Sequence, residues 1–250
     1  MQETAVLPQV LTAPAPTTVA AITLDLDDTL WPILPVMERC EQVLEAFLLE
    51  HAPAVARRFP KGAMRALRDS VAAERPELAH DYSAQRRLSL ERAFAEARVD
   101  ADAEALIERA YVTFYAERNR VQLYDDVADA LPALAARCRL LALTNGNADL
   151  SSIGLAQHFH GAVLARDVGV AKPDPRIFAH ARDLLAVDAA HIWHVGDDPE
   201  LDVLGAQKAG FRAVWINRNG LPWPYPEHMP DLIIRDLAEL GRWLDNLPSD

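Results

Sequence analysis

The chain of 250 residues carries 25 Lys and Arg against 37 Asp and Glu, a formal net charge of −12, and half of its residues are hydrophobic. That balance excludes the basic footprint of a nucleic-acid-binding protein, and no apolar run approaches the ~18 residues that span a bilayer. The two cysteines, Cys40 and Cys138, lie far apart and near no histidine cluster, so they read as buried free thiols of a reducing compartment, with no disulfide framework or zinc site.

Residues 1–19 have no basic n-region and are broken by Pro8, Pro14 and Pro16. They read as a disordered leader, neither signal nor transit peptide, and a cytoplasmic protein is expected. Residues 20–24 then form a short apolar run that stops at Asp25-Leu26-Asp27-Asp28-Thr29, the pattern of a buried parallel strand. Side chains two apart on a strand point the same way, so Asp25 and Asp27 can converge on one site. Paired carboxylates can divide labour there, one attacking phosphorus and the other protonating a leaving oxygen. A polar turn with Asp and Thr as helix caps is the plain alternative.

No strand is apparent from residue 35 to residue 121. Val36, Cys40, Val43, Leu44, Phe47 and Leu48 share a helical face. Leu88, Phe94 and Ala95, then Leu106, Ala110, Phe114 and Tyr115, suggest further amphipathic helices, about four in all. A helix at 126–137 leads to a second apolar run, 140–143, ending in Thr144-Asn145-Gly146. A hydroxyl and successive backbone N–H groups at a strand end can hold phosphate oxygens; an ordinary Asn-Gly turn is the alternative.

Residues 162–164 read as another strand. Lys172 stands just before a helix at 175–185, its approach stiffened by Pro173 and Pro175. A fixed ammonium there can neutralise nucleophile and phosphate charge, although a lone lysine is more often solvated surface. The run 192–195 ends in Gly196-Asp197-Asp198, followed by a helix at 201–209 with Gly210 as its stop. Magnesium needs few protein carboxylates. Asp197 at the strand tip is the best candidate, with Asp198 and Asp202 acting through water or as supports. A charged helix N-terminus is the alternative. His194 reads as a packed core histidine, and Trp223, among three prolines, as filling a turn. Strands at 213–216 and 232–234 complete the pattern. The alternation argues for an α/β chain, a Rossmann-like doubly wound parallel sheet with an inserted all-helical domain, and ligands at the carboxyl ends of the strands.

Asp25-x-Asp27-x-Thr29, Thr144, Lys172 and Asp197-Asp198, with Gly205-Ala206-x-x-Ala209-Gly210 behind them, make the sequence resemble the haloacid dehalogenase-like hydrolase superfamily from residue 20 onwards. The resemblance implies that Asp25 is the nucleophile that becomes phosphorylated and Asp27 the general acid and then base. Thr144, with Asn145 and Gly146, would bind the phosphoryl group, and Lys172 would stabilise its charge. Mg2+ would be held by Asp25, the backbone carbonyl of Asp27, and Asp197. It also implies a catalytic core of residues 20–34 and 122–250 and a mobile helical cap of residues 35–121. Dehalogenase members lack the second aspartate, since a halide needs no proton, so Asp27 favours phosphoryl transfer. Asp28 stands where many relatives carry glycine.

The sequence is further similar to bacterial phosphatases of FMN and a phosphorylated riboflavin precursor, through Asp27-Asp28-Thr29-Leu30-Trp31, Arg75-Pro76-Glu77-Leu78-Ala79-His80-Asp81, Thr144-Asn145-Gly146-Asn147 and His194-Val195-Gly196-Asp197-Asp198. Arg86 and Arg87 could contact a phosphate or ribityl chain, but a solvated helix face is the preferred reading. The expected partner is a small phosphorylated metabolite, with neither nucleic acid nor membrane. A sugar phosphomutase and a non-catalytic binding protein are the alternatives; phosphonate cleavage would require Lys61 as a Schiff-base lysine.

Overall fold

The structure, a computed structural model, describes residues 19–60 and 62–247; the leader up to residue 18, and Lys61, lie outside the described residues. Six apolar runs become strands: β1 (Ala21–Leu24), β2 (Arg139–Thr144), β3 (Ala162–Leu164), β4 (Ile192–Gly196), β5 (Arg212–Ile216) and β6 (Leu232–Ile234). They form one parallel sheet in the order β3-β2-β1-β4-β5-β6. Every residue of β1 and β4 is buried, which is why these segments read as continuous apolar runs rather than as alternation. Ala21 of β1 faces Arg139 of β2 on one side and Ile192 of β4 on the other. The chain adds β2 and β3 outward from β1 in one direction, then β4 to β6 in the other. The carboxyl ends of β1 and β4 therefore flank a topological switch point, where open α/β sheets bind ligands.

Helix Pro175–Leu185 packs Ile177, Phe178, Ala181 and Leu185 against Leu143, Val163 and Ala206. Asp174 caps its start by accepting from the Arg176 N–H, with Pro175 in the first turn, where a missing N–H costs nothing. The Phe178 ring meets His194 edge-on, centroids 5.3 Å apart. Among the described residues no helix is long and apolar enough to cross a membrane. Cys40 is buried and Cys138 partly so; burial pushes both thiols up to about 11 and leaves them neutral.

The chain divides into two compact units. One comprises the described residues up to Trp31 together with residues 123–144 and 155–247, and holds the sheet; the other comprises Pro32–Gln122 and Asn145–Gly154. The second is built on α1 (Ile33–His51), α2 (Pro53–Arg58), α3 (Ala63–Glu74), α4 (Tyr82–Glu96) and α5 (Ala103–Arg118). Residues 145–154 pack with these helices: Asn147 Nδ2 donates to Ser83 Oγ (3.1 Å) and the Asp149 N–H to Asn119 Oδ1 (2.8 Å).

The buried face of α4 differs from the sequence reading. Ala95 is exposed and Leu88 half-buried, while Arg86, Leu90, Ala93 and Phe94 are buried. Arg86 is therefore no solvated cation. Its guanidinium lies 4.3 Å from the Phe114 ring and pairs with Glu41. A planar, weakly hydrated cation accepts burial when it is both stacked and paired. Arg87 stays half-exposed, 3.7 Å over Tyr111 and paired with Glu108.

Candidate active site

The site grows from the end of β1. The Asp25 N–H donates to the Val195 carbonyl at 2.9 Å, extending the ladder by one residue and setting Asp25 beside the end of β4. Lys172 Nζ donates to Asp25 Oδ1 at 2.6 Å and to Asp202 Oδ1 at 2.5 Å. All three groups are buried. Behind them, His194 Nε2 lies 3.0 Å from the same Asp202 oxygen, and its Nδ1 lies 2.8 Å from Thr23 Oγ1. A carboxylate oxygen only accepts, so Nε2 carries the hydrogen. Burial holds the ring below its ordinary pKa; it is neutral, and Nδ1 accepts from the Thr23 hydroxyl. His194 is a core histidine, as read, and it also braces the carboxylate that fixes Lys172.

Asp202 reaches Lys172 because the chain after β4 does not form the expected α-helix over 201–209. It makes a π-helix, Pro199–Leu204, and then a short α-helix, Gly205–Lys208. The Val203 N–H reaches back five residues to the Asp198 carbonyl (3.3 Å). Such wide turns re-aim side chains and recur at functional sites. Asp198 caps this turn: its Oδ1 accepts from the Glu200 and Leu201 N–H groups, both at 2.8 Å, while its own N–H donates to Asp202 Oδ2 at 3.0 Å. Gly196 gives Asp202 its room, since a Cβ there would stand 2.2 Å from Asp202 Cγ and Oδ2. Gly196→Ala is expected to displace Asp202 and cost about 1–3 kcal/mol. A thermal melt reads that loss directly, and a variant melting with the parent would mean that Asp202 relocates freely.

Asp197 follows β4. Its Oδ1 lies 3.4 Å from the donating Thr29 hydroxyl, and its carbonyl accepts the Trp215 indole N–H at 2.8 Å. Trp223 packs against Trp215, centroids 4.9 Å apart, and its own N–H closes the Pro-rich turn onto the Tyr225 carbonyl. It fills the turn as expected, and it also buttresses the side chain that holds Asp197. Thr144 is buried at the carboxyl end of β2, next to β1. Asn145 and Gly146, half-buried, open the segment that belongs to the second unit.

The turn after Asp25 is held from several sides. Asp28 has φ 57, the left-handed conformation that favours glycine and that aspartate tolerates better than most residues; this accounts for a residue type other than glycine standing there. The Asp28 N–H donates to the Trp31 carbonyl (2.7 Å), and the Trp31 indole N–H donates to Asp27 Oδ1 (2.8 Å). Arg218 donates to the Thr29 carbonyl through Nη2 at 2.8 Å and pairs with Asp126, also at 2.8 Å. In the sequence Trp31 stands out only as part of a motif and Trp215 only as a strand residue, and nothing marks Arg218. The sole hint for Trp31 was an aromatic residue four positions after Asp27.

Asp25, Asp197 and Asp202 each offer an oxygen within 4.8 Å of the others. Burial, and the neighbouring charge of Asp202, push Asp25 up to about 7 against the pull of Lys172. Burial, then Asp202, Asp25 and Asp28, push Asp197 up to about 8. Burial alone would also raise Asp202, but Lys172 and His194 outweigh it and hold Asp202 well below the usual carboxylate range. Burial works against the Lys172 ammonium, yet the two carboxylates carry its pKa above the ordinary value. One ammonium thus faces three gathered carboxylates. The all-oxygen donor set and its surplus negative charge fit a small hard divalent cation.

Residues 19–210 match the family model of haloacid dehalogenase-like hydrolases. The chain is 36% identical over 199 residues to 5-amino-6-(5-phospho-D-ribitylamino)uracil phosphatase YigB of Escherichia coli, covering 79% of this chain and 83% of that protein. It is 41% identical over 158 residues to a phosphoserine phosphatase of Thermus thermophilus, covering 60% and 63%. A solved structure titled 2-haloacid dehalogenase, from Pseudomonas syringae, superposes with a TM-score of 0.86 at 37% identity, over 92% of this chain and 100% of that one. The chain belongs to the haloacid dehalogenase-like hydrolases, and within that family it is a hydrolase of the phosphatase type.

Proposed function

We propose that the protein is a magnesium-dependent phosphomonoesterase that works through a phospho-aspartate on Asp25, with 5-amino-6-(5-phospho-D-ribitylamino)uracil or FMN as the small phosphorylated metabolite it hydrolyses. The observation that carries this reading is the pair of aspartates: Asp25 buried on Lys172, and Asp27 two residues on, held by Trp31. Asp25 attacks phosphorus as the bond to the leaving oxygen breaks, and Asp27 gives that oxygen its proton. Water then attacks the phosphorus of the acyl phosphate, Asp27 takes the water's proton, and Asp25 leaves as a carboxylate. Lys172, fixed by Asp202, offsets the charge on Asp25 and on the phosphoryl oxygens. Thr144, Asn145 and Gly146 hold those oxygens. Asp25, the Asp27 carbonyl and Asp197 would hold Mg2+, with Asp198 and Asp202 as supports; when bound, the ion screens and aligns the phosphate. Residues 35–121 act as the cap that selects the substrate.

The substrate class is supported by the relative that shares 36% identity over 79% of the chain. The resemblance to a structure titled as a dehalogenase gives a second reading. Displaced halide needs no proton, and Asp27 would have no task there. The test measures phosphate release from the ribitylaminouracil phosphate, FMN and p-nitrophenyl phosphate, with chloride release from 2-chloropropionate as the counter-assay. Phosphate release is expected to vanish with EDTA and return with Mg2+, with kcat/KM about tenfold or more higher for a ribityl phosphate than for the aryl ester. Chloride release without phosphate release would overturn the reading.

A further inference from the structure

Trp31 is completely buried, on the turn that the chain makes directly after Asp27. A β-bridge joins Asp27 to Trp31, and the Asp28 N–H on the Trp31 carbonyl closes the turn. Packing on all sides keeps the ring from swinging, and the indole N–H points at Asp27 Oδ1 from 2.8 Å. An indole N–H is a donor and nothing else. Whatever the protonation state of Asp27, Oδ1 must accept. A carboxylic acid left to itself can carry its proton on either oxygen, and one that donates in the wrong direction is useless to the leaving group.

We propose that Trp31 is a positioning residue for the acid–base steps: its N–H reserves Asp27 Oδ1 as acceptor, so that the catalytic proton always travels on Oδ2. The inference rests on the reading of Asp27 as acid and base. In the first step the Oδ2–H proton passes to the leaving oxygen as the phosphorus–oxygen bond breaks and the Asp25–phosphorus bond forms. In the second, a proton of the attacking water returns to Oδ2 as the Asp25–phosphorus bond breaks. A buried indole usually takes a partner for its own N–H, although that of Trp193 is buried without one, so packing alone could account for the contact. The two roles differ in what they predict for different esters.

The discriminating quantity is kcat/KM, which covers the steps up to formation of the phospho-aspartate and is blind to its hydrolysis. It is compared for an alkyl phosphate, whose alkoxide cannot leave unprotonated, and 2,4-dinitrophenyl phosphate, whose phenolate can. Trp31→Phe is expected to lower kcat/KM about tenfold or more for the alkyl ester while the dinitrophenyl ester stays within about twofold. Site-specific replacement of Trp31 by benzothienylalanine, which keeps the ring shape and lacks the N–H, is expected to do the same and separates the donor from the packing. Equal losses on both esters, or an unchanged alkyl ester, would overturn the proposal. Asp27→Ala is the reference, expected to show the same split more strongly. Equal losses in that variant would instead remove Asp27 as acid, and the role of Trp31 with it.

Discussion

Asp25→Asn is expected to lower turnover by roughly 10⁴-fold or more, the scale on which enzymes lose activity when their nucleophile is removed. The amide is isosteric, and its oxygen can still accept from Lys172, so the cluster keeps its shape while losing the group proposed to bond to phosphorus. Stability should move the other way. Burial and the charge of Asp202 already push the Asp25 carboxyl up to about 7, which means that its negative charge is held at a cost. A neutral amide in that place removes part of the repulsion, and the variant is expected to melt at or above the parent in EDTA, as active-site residues often do when their function is given up. Phosphoprotein trapped during turnover should be present in the parent and absent from the variant. Turnover within tenfold of the parent would remove Asp25 as nucleophile.

Lys172→Met is expected to damage both stability and rate. The ammonium is buried between Asp25 and Asp202, and removing one partner of a buried ion pair costs about 3–5 kcal/mol because the other charge is left uncompensated. Loss of a preorganised cation should lower kcat by about 10²–10³-fold. The pH dependence identifies the cause. Without Lys172, the two buried carboxylates hold protons more tightly in the folded than in the unfolded chain, so the variant's stability falls as pH rises. In the parent, Asp202 has its pKa depressed below the unfolded value, so its contribution is still fully present at about pH 5 and only the variant's Asp202 takes up a proton on the way there. The gap between the two proteins should therefore be widest near neutral pH and narrow on acidification. Urea denaturation near neutrality and near about pH 5 measures it; a gap that is constant with pH would point to lost packing.

The sheet was legible because each strand is an apolar run cut off by polar residues, and β1, β2 and β4 stop at Asp25, Thr144-Asn145 and Asp197. Three motifs at strand ends, with Lys172 just before the helix Pro175–Leu185, sufficed to propose a site. What stayed hidden is of another kind. Arg218 meets the Thr29 carbonyl from 189 residues away in sequence, and Trp215 holds Asp197 from 18 residues away; no local pattern announces such partners. The π-helix escaped because periodicity arguments assume 3.6 residues per turn, and the register that brings Asp202 to Lys172 depends on the extra residue. Arg86 was misread for a related reason. Exposure preferences describe a lone arginine, and this one has Glu41 and Phe114 beside it.

The place of β1 in the sheet has a consequence for how the protein is made. Its neighbours are β2 and β4, whose paired residues begin at Arg139 and Ile192. During synthesis the strand that leads into Asp25 leaves the ribosome before β2 and β4 and waits for both partners. At 5–20 residues per second, β4 follows β1 by roughly ten to thirty seconds. Until β2 emerges Ala21–Leu24 is an unpaired apolar strand, and until β4 emerges one of its edges stays open, the kind of segment that invites misassociation or a chaperone. A transcript cut short anywhere before Ile192 yields a chain whose sheet cannot close around β1, so aggregation of nascent fragments should be sensitive to polar substitutions at Ile22 and Leu24.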